Sequence, residues 1–185
     1  MKLRTYSVAL LSFLVLSSQL LAFDGQRKGF ILGGGIGGGY LHYVESYGFP
    51  VSGLKTFAVA TNFKIGYAPS NSLEIYYINS VSWFGYSQAA FIIGVTGLGL
   101  TKYLNPNGTG FFVSGGIGLS FYQPFEAGDE DRPATGFGLL GGIGYDIAKH
   151  WSIQGDILYT TMNGYGYGLR ITSLGVRATL NFLAF

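Results

Sequence analysis

Apolar and polar side chains alternate along the chain from residue 28 to residue 185, in stretches of roughly ten residues that are each closed by a turn. The clearest stretch runs from Ser173 to Phe182. One of its faces carries Leu174, Val176, Ala178, Leu180 and Phe182, and the other carries Ser173, Gly175, Arg177, Thr179 and Asn181. Successive side chains of a strand point to opposite sides of the sheet. The alternation is therefore typical of transmembrane β-strands, with one face toward lipid and the other toward a polar interior.

The same alternation divides the chain into eight predicted strands separated by turns. The predicted strands cover residues 29–44, 56–68, 73–84, 89–104, 110–122, 135–148, 151–162 and a last stretch that follows residue 168. The turns are clearest at Pro69–Ser72 and Asn105–Gly108, which combine Pro, Asn, Ser and Gly. Short turns near Ser70, Asn107 and His150 alternate with longer links. This alternation is expected of an up-and-down meander.

Composition favours a membrane protein without a membrane-spanning helix. Charged residues make up only 11% of the chain against 48% hydrophobic residues. No apolar run beyond the N-terminus reaches the roughly 18 residues that a spanning helix needs. A sheet inside a bilayer must close, because hydrocarbon cannot satisfy the hydrogen bonds of an open edge. We therefore predict an all-β fold, an eight-stranded antiparallel up-and-down transmembrane β-barrel.

The first 22 residues have the features of a signal peptide. Lys2 and Arg4 precede the apolar stretch Val8–Leu16, and Ser17–Ala22 supplies a cleavage region. We predict cleavage after Ala22 and a barrel domain over residues 23–185, with an uncleaved membrane anchor as the alternative. The absence of cysteine excludes a lipoprotein anchor. Loss of the two basic residues takes the formal charge from +2 to 0, so the charge gives no reason to expect a nucleic-acid partner.

Short motifs give the chain a resemblance to a known superfamily. They are Gly-Gly-Ile-Gly at 34–37, 115–118 and 141–144, Lys64–Tyr67 before a turn, Gly144–Ile147 before Trp151–Ile153, and the terminal strand. In these features the chain resembles the small eight-stranded bacterial outer-membrane barrels, which include the outer membrane protein A barrel, the opacity-type proteins and the OmpW-like proteins. The resemblance implies export through the periplasm to the cell outer membrane. It also implies that the short turns face the periplasm.

The resemblance sets the expected partners. They are outer-membrane lipids and lipopolysaccharide, and, during biogenesis, periplasmic chaperones and the barrel-assembly machinery. We expect a monomer, no cofactor and no nucleic acid. The superfamily's assembly signal alternates apolar residues with a final aromatic, which Phe185 and Leu183 match. Phe182 falls on the opposite phase, and a bulge or a frayed last turn would reconcile it.

Five charged residues fall on the small or polar face of the predicted strands. They are Lys64, Glu74, Asp146, Asp156 and Arg177. An eight-stranded barrel is just wide enough for side chains to fill it, and an unpaired charge there is costly. Counting residues across the last hairpin places Asp156 opposite Arg177, and Lys64 and Glu74 flank the Pro69 turn. The sequence favours a plugged lumen, with a gated polar pathway as the alternative.

Two further motifs have simpler explanations than ligand binding. Gly33–Gly39 contains a G-x-G-x-x-G match, but a strand-like segment rather than a helix follows it, so a dinucleotide site is not expected. The acidic stretch Glu126–Arg132 lacks the ligand spacing of an EF-hand. We expect it to be a solvated loop, or one that bridges to lipopolysaccharide through cations, and we predict no metal site.

The resemblance also raises an enzymatic possibility, because some eight-stranded outer-membrane barrels are lipid A deacylases with a His-x-Ser pair and a nearby acid. His150 and Ser152 match the pair, and Asp156 lies on the same strand face as Ser152. However, the predicted topology puts this pair at a periplasmic turn, far from the outer leaflet. His42 is a weaker candidate still. We therefore predict no enzymatic activity and no catalytic residues.

Two functions remain open at this point. The first is a non-enzymatic barrel with a structural role or a role in surface interaction. The second is transport of small hydrophobic compounds through a lateral opening, as a resemblance to the OmpW-like proteins would imply. A lipid A-modifying enzyme ranks third. The sequence names no ligand.

Overall fold

A computed structural model gives the fold of the chain and describes residues 26–47, 53–86, 89–124, 133–164 and 168–185. The predicted signal peptide 1–22 and the acidic stretch 126–132 lie outside the described residues. Eight strands form one closed sheet in sequence order, with every neighbouring pair antiparallel and β1 paired with β8. The predicted eight-stranded antiparallel barrel is therefore confirmed. Within the described ranges, no helix is long and apolar enough to cross a membrane.

The strands extend beyond their predicted ends at most links. Their bounds are β1 Gly29–Tyr47, β2 Leu54–Ser70, β3 Leu73–Tyr86, β4 Ala89–Tyr103, β5 Phe111–Pro124, β6 Ala134–Ala148, β7 Trp151–Gly164 and β8 Leu169–Ala184. The extra residues are held by the ladder itself, as in the pairing of Tyr47 with Leu169. Hydrogen bonding between strands continues where the apolar alternation has already faded, which is why the pattern underestimated the strand lengths.

Alternate residues of each strand face the interior and the outer surface. In β8, Arg177 and Asn181 are buried, whereas Leu174 and Val176 are 48% and 58% exposed. The same division holds in β2, where Ala58 and Ala60 are buried and Phe57 is exposed. The outer surface is thus an apolar belt, and the buried charged side chains lie inside together with apolar ones.

The two ends of the barrel differ in their connections. The turns at 71–72, 104–110 and 149–150 lie together at one end, which we call the turn end. The strand ends at Tyr47, Tyr86, Pro124 and Gly164 lie at the opposite end, which we call the loop end. Gly108 shows how tight the turn end is: its φ is +72°, and a Cβ atom there would lie 1.8 Å from the carbonyl oxygen of Asn71. Only glycine fits this position without strain.

Candidate functional site

Arg27 enters the barrel from the turn end, two residues before β1, and is 5% exposed. Its Nη1 donates to Glu74 Oε1 at 2.9 Å, and its Nη2 donates to Asp146 Oδ2 at 2.8 Å. The guanidinium also lies over the rings of Tyr103 and Phe185, 4.1 and 4.7 Å from their centroids. One cation thus joins residues of β3, β4 and β6 and the last residue of the chain.

Lys64 completes this group, which we call the turn-end cluster (Arg27, Lys64, Glu74 and Asp146). Lys64 Nζ lies 3.3 Å from Glu74 Oε2, so Glu74 is held by two cations. The Lys64 ammonium also lies 5.1 Å from the centroid of the Tyr76 ring. The Tyr76 hydroxyl pairs with that of Thr101 at 2.9 Å, which fixes the ring in place.

A second ion pair, the mid-barrel pair, lies deeper in the lumen. Asp156 of β7 is directly opposite Arg177 of β8 in the ladder. Arg177 Nε donates to Asp156 Oδ1 at 2.7 Å, and Arg177 Nη2 donates to the same carboxylate and to Ser80 Oγ, the latter at 2.8 Å. Ser80 belongs to β3, so the pair links opposite walls of the barrel.

The glycine run of β1 makes room for these side chains. Gly39 pairs with Arg177 and Gly35 pairs with Asn181 in the β1–β8 ladder. A Cβ atom at Gly39 would lie 2.8 Å from Arg177 Cγ, and one at Gly35 would lie 1.9 Å from Asn181 Oδ1. That oxygen accepts a hydrogen bond from Asn62 Nδ2 at 2.7 Å. Gly35 and Gly39 are therefore part of the polar interior rather than of a nucleotide loop.

The loop-end half of the lumen is mainly apolar, with buried serine and threonine side chains such as Ser82, Ser120 and Thr160 among the apolar ones. Four buried rings, those of Tyr43, Phe84, Phe91 and Tyr122, form a closed ring of contacts with centroid separations of 5.5 to 6.4 Å. We call this the aromatic cluster. Its buried apolar neighbours are Leu41, Ala58, Ile93, Ala134, Met162, Leu169 and Ile171. Packing of apolar and aromatic side chains, rather than ion pairing, therefore holds this cluster together.

Little open space remains between the two halves. A cavity of about 10 Å³ lies beside the mid-barrel pair, lined in part by Asn62, Tyr76 and Gln154. This volume is of the order of a single water-sized probe. This cavity is therefore too small to hold a solute larger than water.

The structure brings the sequence-predicted charges together in two groups rather than one. Asp156 contacts Arg177, and Lys64 contacts Glu74, but Asp146 meets neither of these pairs directly. Its partner is Arg27, which lies outside the predicted strands and was missed. The signal was present: continuing the inward phase of β1 back by two residues from Gly29 puts position 27 inside the barrel.

The His-x-Ser pair does not form a catalytic arrangement with the acid proposed for it. His150 Nδ1 lies 2.9 Å from the Leu183 carbonyl oxygen. The Asp156 carboxylate is engaged by Arg177. Ser152 and Asp156 are four residues apart on one strand, which separates them by about 13 Å. His42, the weaker candidate, lies on β1 and faces the outer surface.

The end of β8 keeps its alternation without a bulge. The ladder to β1 runs without a register shift to Ala184, so the expected bulge or frayed turn is absent there. Leu183 and Phe185 point inward and are buried, whereas Phe182 faces outward and contacts Trp151 at a centroid distance of 5.2 Å. Whether Phe185 and Leu183 act as an assembly signal stays a prediction.

Neither remaining motif forms a ligand site in the described part of the chain. Gly33–Gly39 lies wholly within β1, which continues as a strand to Tyr47. Among the residues described, no group of three or more His, Cys, Asp or Glu side chains is placed to hold a metal ion.

Comparisons with known proteins show the fold alone. No protein-family model matches the chain, and no curated protein sequence matches it. The crystal structure of Neisserial surface protein A (NspA) superposes with a TM-score of 0.55 at 14% identity, covering 85% of this chain and 98% of that one. Ail, the attachment invasion locus protein of Yersinia pestis, superposes with a TM-score of 0.55 at 14% identity, covering 84% and 99%. The chain therefore has the fold of the small eight-stranded outer-membrane barrels, as the sequence resemblance predicts.

Proposed function

We propose that the chain is an integral outer-membrane β-barrel with a structural or surface-interaction role, that it is not an enzyme, and that paired charges plug its lumen. A signal peptide would export it to the periplasm, and the turn end would face the periplasm. The fold shared with NspA and Ail supports the placement in the outer membrane. The short connections at the turn end support the orientation, because outer-membrane barrels keep their short turns on the periplasmic side.

The observation that carries the plugged lumen is the pairing of charges across it. Arg27, Lys64 and Arg177 face Glu74, Asp146 and Asp156 through four ion pairs. Arg27 joins Glu74 of β3 to Asp146 of β6, and Arg177 of β8 also donates to Ser80 of β3, so opening a path would separate these groups inside a low-dielectric interior. Such separation is strongly unfavourable. The aromatic cluster fills the other half, so a solute would meet packed side chains at both ends.

Single-channel recording tests the plug. The refolded protein is inserted into a planar bilayer, and insertion is verified by resistance to protease in matched vesicles. We expect no steady ohmic conductance from the wild type. A matched variant, Arg170→Met, removes an outward-facing arginine and should be equally silent. A stable open level in the wild type would contradict the plug.

One observation favours the second function, transport of small hydrophobic compounds. The loop-end half of the lumen is lined mainly by apolar and aromatic side chains, which suits an apolar solute better than an ion. The test compares the rate at which an apolar fluorophore enters vesicles with and without the protein. A quencher inside the vesicles reports the uptake as a loss of fluorescence. Faster uptake that Phe91→Trp blocks would support transport. Equal rates would leave the structural role.

A further inference from the structure

Asn79 lies on the lipid-facing surface in the middle of a strand. It is close to the centre of β3, which runs from Leu73 to Tyr86. Its neighbours Ile78 and Ser80 are buried inside the barrel, whereas Tyr77 is 44% exposed on the outer surface. Because strand side chains alternate, the Asn79 carboxamide faces outward with Tyr77.

The other polar groups around Asn79 have partners on the same surface. Trp83 Nε1 donates to Thr61 Oγ1 at 2.7 Å, and the hydroxyls of Tyr77 and Thr96 are hydrogen-bonded to each other. Thr96 is the residue paired with Asn79 in the β3–β4 ladder. Among the residues that the structure describes, none hydrogen-bonds to the Asn79 carboxamide. The threonine and tyrosine hydroxyls on this surface therefore have hydrogen-bond partners within the described part of the barrel, whereas the Asn79 carboxamide has none.

An amide at this depth needs a partner from outside the barrel. The corresponding outward positions near the centres of β5, β7 and β8 are Ile117, Ile157 and Val176, all of them apolar. Hydrocarbon offers neither donors nor acceptors, so an unpartnered amide there is unfavourable. Polar residues within a membrane are rare for this reason and mark sites of interaction.

We propose that the outer face of β2, β3 and β4 binds a second copy of this chain around Asn79. A carboxamide carries both donors and an acceptor, so the group that complements it best is another carboxamide. A two-fold axis through this face brings the two Asn79 side chains together in such a pair, since a two-fold interface matches each patch with itself. Phe63, directly opposite Asn79 in the ladder, and Leu98 supply exposed apolar surface beside it.

This dimer rests on the proposed membrane location, because only lipid makes an outward amide costly. It differs from the sequence-based expectation of a monomer. The two ideas fail differently. A chain that does not insert into vesicles would contradict the membrane location, whereas one that inserts as a monomer would contradict only the dimer.

Energy transfer between labelled copies in lipid vesicles measures the association. The chain has no cysteine, so Asn107→Cys at an exposed turn gives a single labelling site. In this background we expect Asn79→Leu to weaken dimerisation by about tenfold, the size of one or two membrane hydrogen bonds. Asn79→Gln should keep most of the association, because it keeps the amide. Val176→Leu, a change in the middle of the opposite wall, should behave as wild type.

Cross-linking locates the interface independently of the amide. Phe63→Cys and Val176→Cys place thiols at positions that are 45% and 58% exposed on opposite sides of the barrel. With a short bifunctional thiol reagent, Phe63→Cys should give a cross-linked dimer and Val176→Cys should not. Folding of every variant is checked by resistance to heat on gels. A folded wild type that stays monomeric, an Asn79→Leu variant that associates normally, or equal cross-linking from both walls would overturn the proposal.

Discussion

The two halves of the lumen are filled by different chemistry. The turn-end half contains the ion pairs, with Glu74 completely buried between Arg27 and Lys64, beside an apolar cluster that includes Ile31 and Leu183. The loop-end half is held by the aromatic cluster, in which Phe91 contacts two other rings. Side chains fill the same narrow barrel in both halves. The stability of the charged half depends on which atoms pair, and the stability of the aromatic half depends on how much volume is filled.

This difference also explains where the glycines of β1 are needed. Gly35 and Gly39 adjoin the polar side chains of Asn181 and Arg177, which occupy the space that a Cβ atom at each glycine would take. Near the aromatic cluster, β1 instead carries the larger Leu41 and Tyr43. A polar side chain must meet its partner at a hydrogen-bonding distance and angle, whereas apolar side chains can fill the same space in several orientations.

The mid-barrel pair should give the largest effect. Arg177→Met leaves the Asp156 carboxylate buried without its cation, and we expect a loss of about 3–5 kcal/mol in the free energy of unfolding. Removing both charges with Arg177→Met and Asp156→Leu should restore most of it. The measurement is urea unfolding in lipid vesicles, followed by the fluorescence of Trp83 and Trp151.

Arg170 provides a matched control for that pair. It is exposed on the outer surface of the same strand, so Arg170→Met should change the free energy of unfolding by less than about 1 kcal/mol. If Arg177→Met were as mild as Arg170→Met, the pair would not matter for stability.

In the aromatic cluster the cost should follow the volume removed. Phe91→Ala should destabilise the barrel by about 3 kcal/mol, and Phe91→Leu, which keeps most of the volume, by less than about 1.5 kcal/mol. The same unfolding assay separates the two variants. Equal losses would show that the rings act through something other than packing.

Replacing Arg27 should destabilise the barrel less than replacing Arg177, because the partners of Arg27 keep another cation or lie closer to solvent. After Arg27→Met, Glu74 keeps Lys64, and Asp146 lies at the mouth of the barrel, so we expect a loss of about 1–2 kcal/mol. Combining Arg27→Met with Lys64→Met removes both cations from Glu74 and should cost more than the sum of the single changes. If the losses of stability from the two single changes simply added, the two cations would not interact through Glu74.

The smallest expected effect is at Ser152. Because its proposed acid Asp156 is engaged by Arg177, Ser152→Ala should assemble normally and leave lipid A acylation unchanged. Mass spectrometry of lipid A after expression of both forms in a heterologous host is the test. An acyl chain that is lost with wild type and retained with the variant would contradict both the non-enzymatic proposal and the proposed orientation.

The alternation of side chains along the chain was sufficient to predict the strand number, the closure of the sheet and the inward placement of Lys64, Glu74, Asp146, Asp156 and Arg177. These follow from the two-residue period, which is a local property of each strand. Adjacent pairs such as Asp156 and Arg177 could also be counted across one hairpin. The C-terminal strand was harder, because Phe182 and Phe185 suggested a bulge that the regular ladder does not contain.

Which charges meet across the lumen could not be predicted from this alternation and is seen only in the closed barrel. Arg27 joins Glu74 and Asp146, which are 47 and 119 residues away, and Arg177 reaches Ser80 on the opposite wall. The closed barrel also decided that the hydroxyls of Thr61 and Thr96 find partners on the outer surface while Asn79 does not. The physical reason is that closing the sheet fixes the stagger and the diameter together, and these set which side chains from non-adjacent strands come within hydrogen-bonding distance.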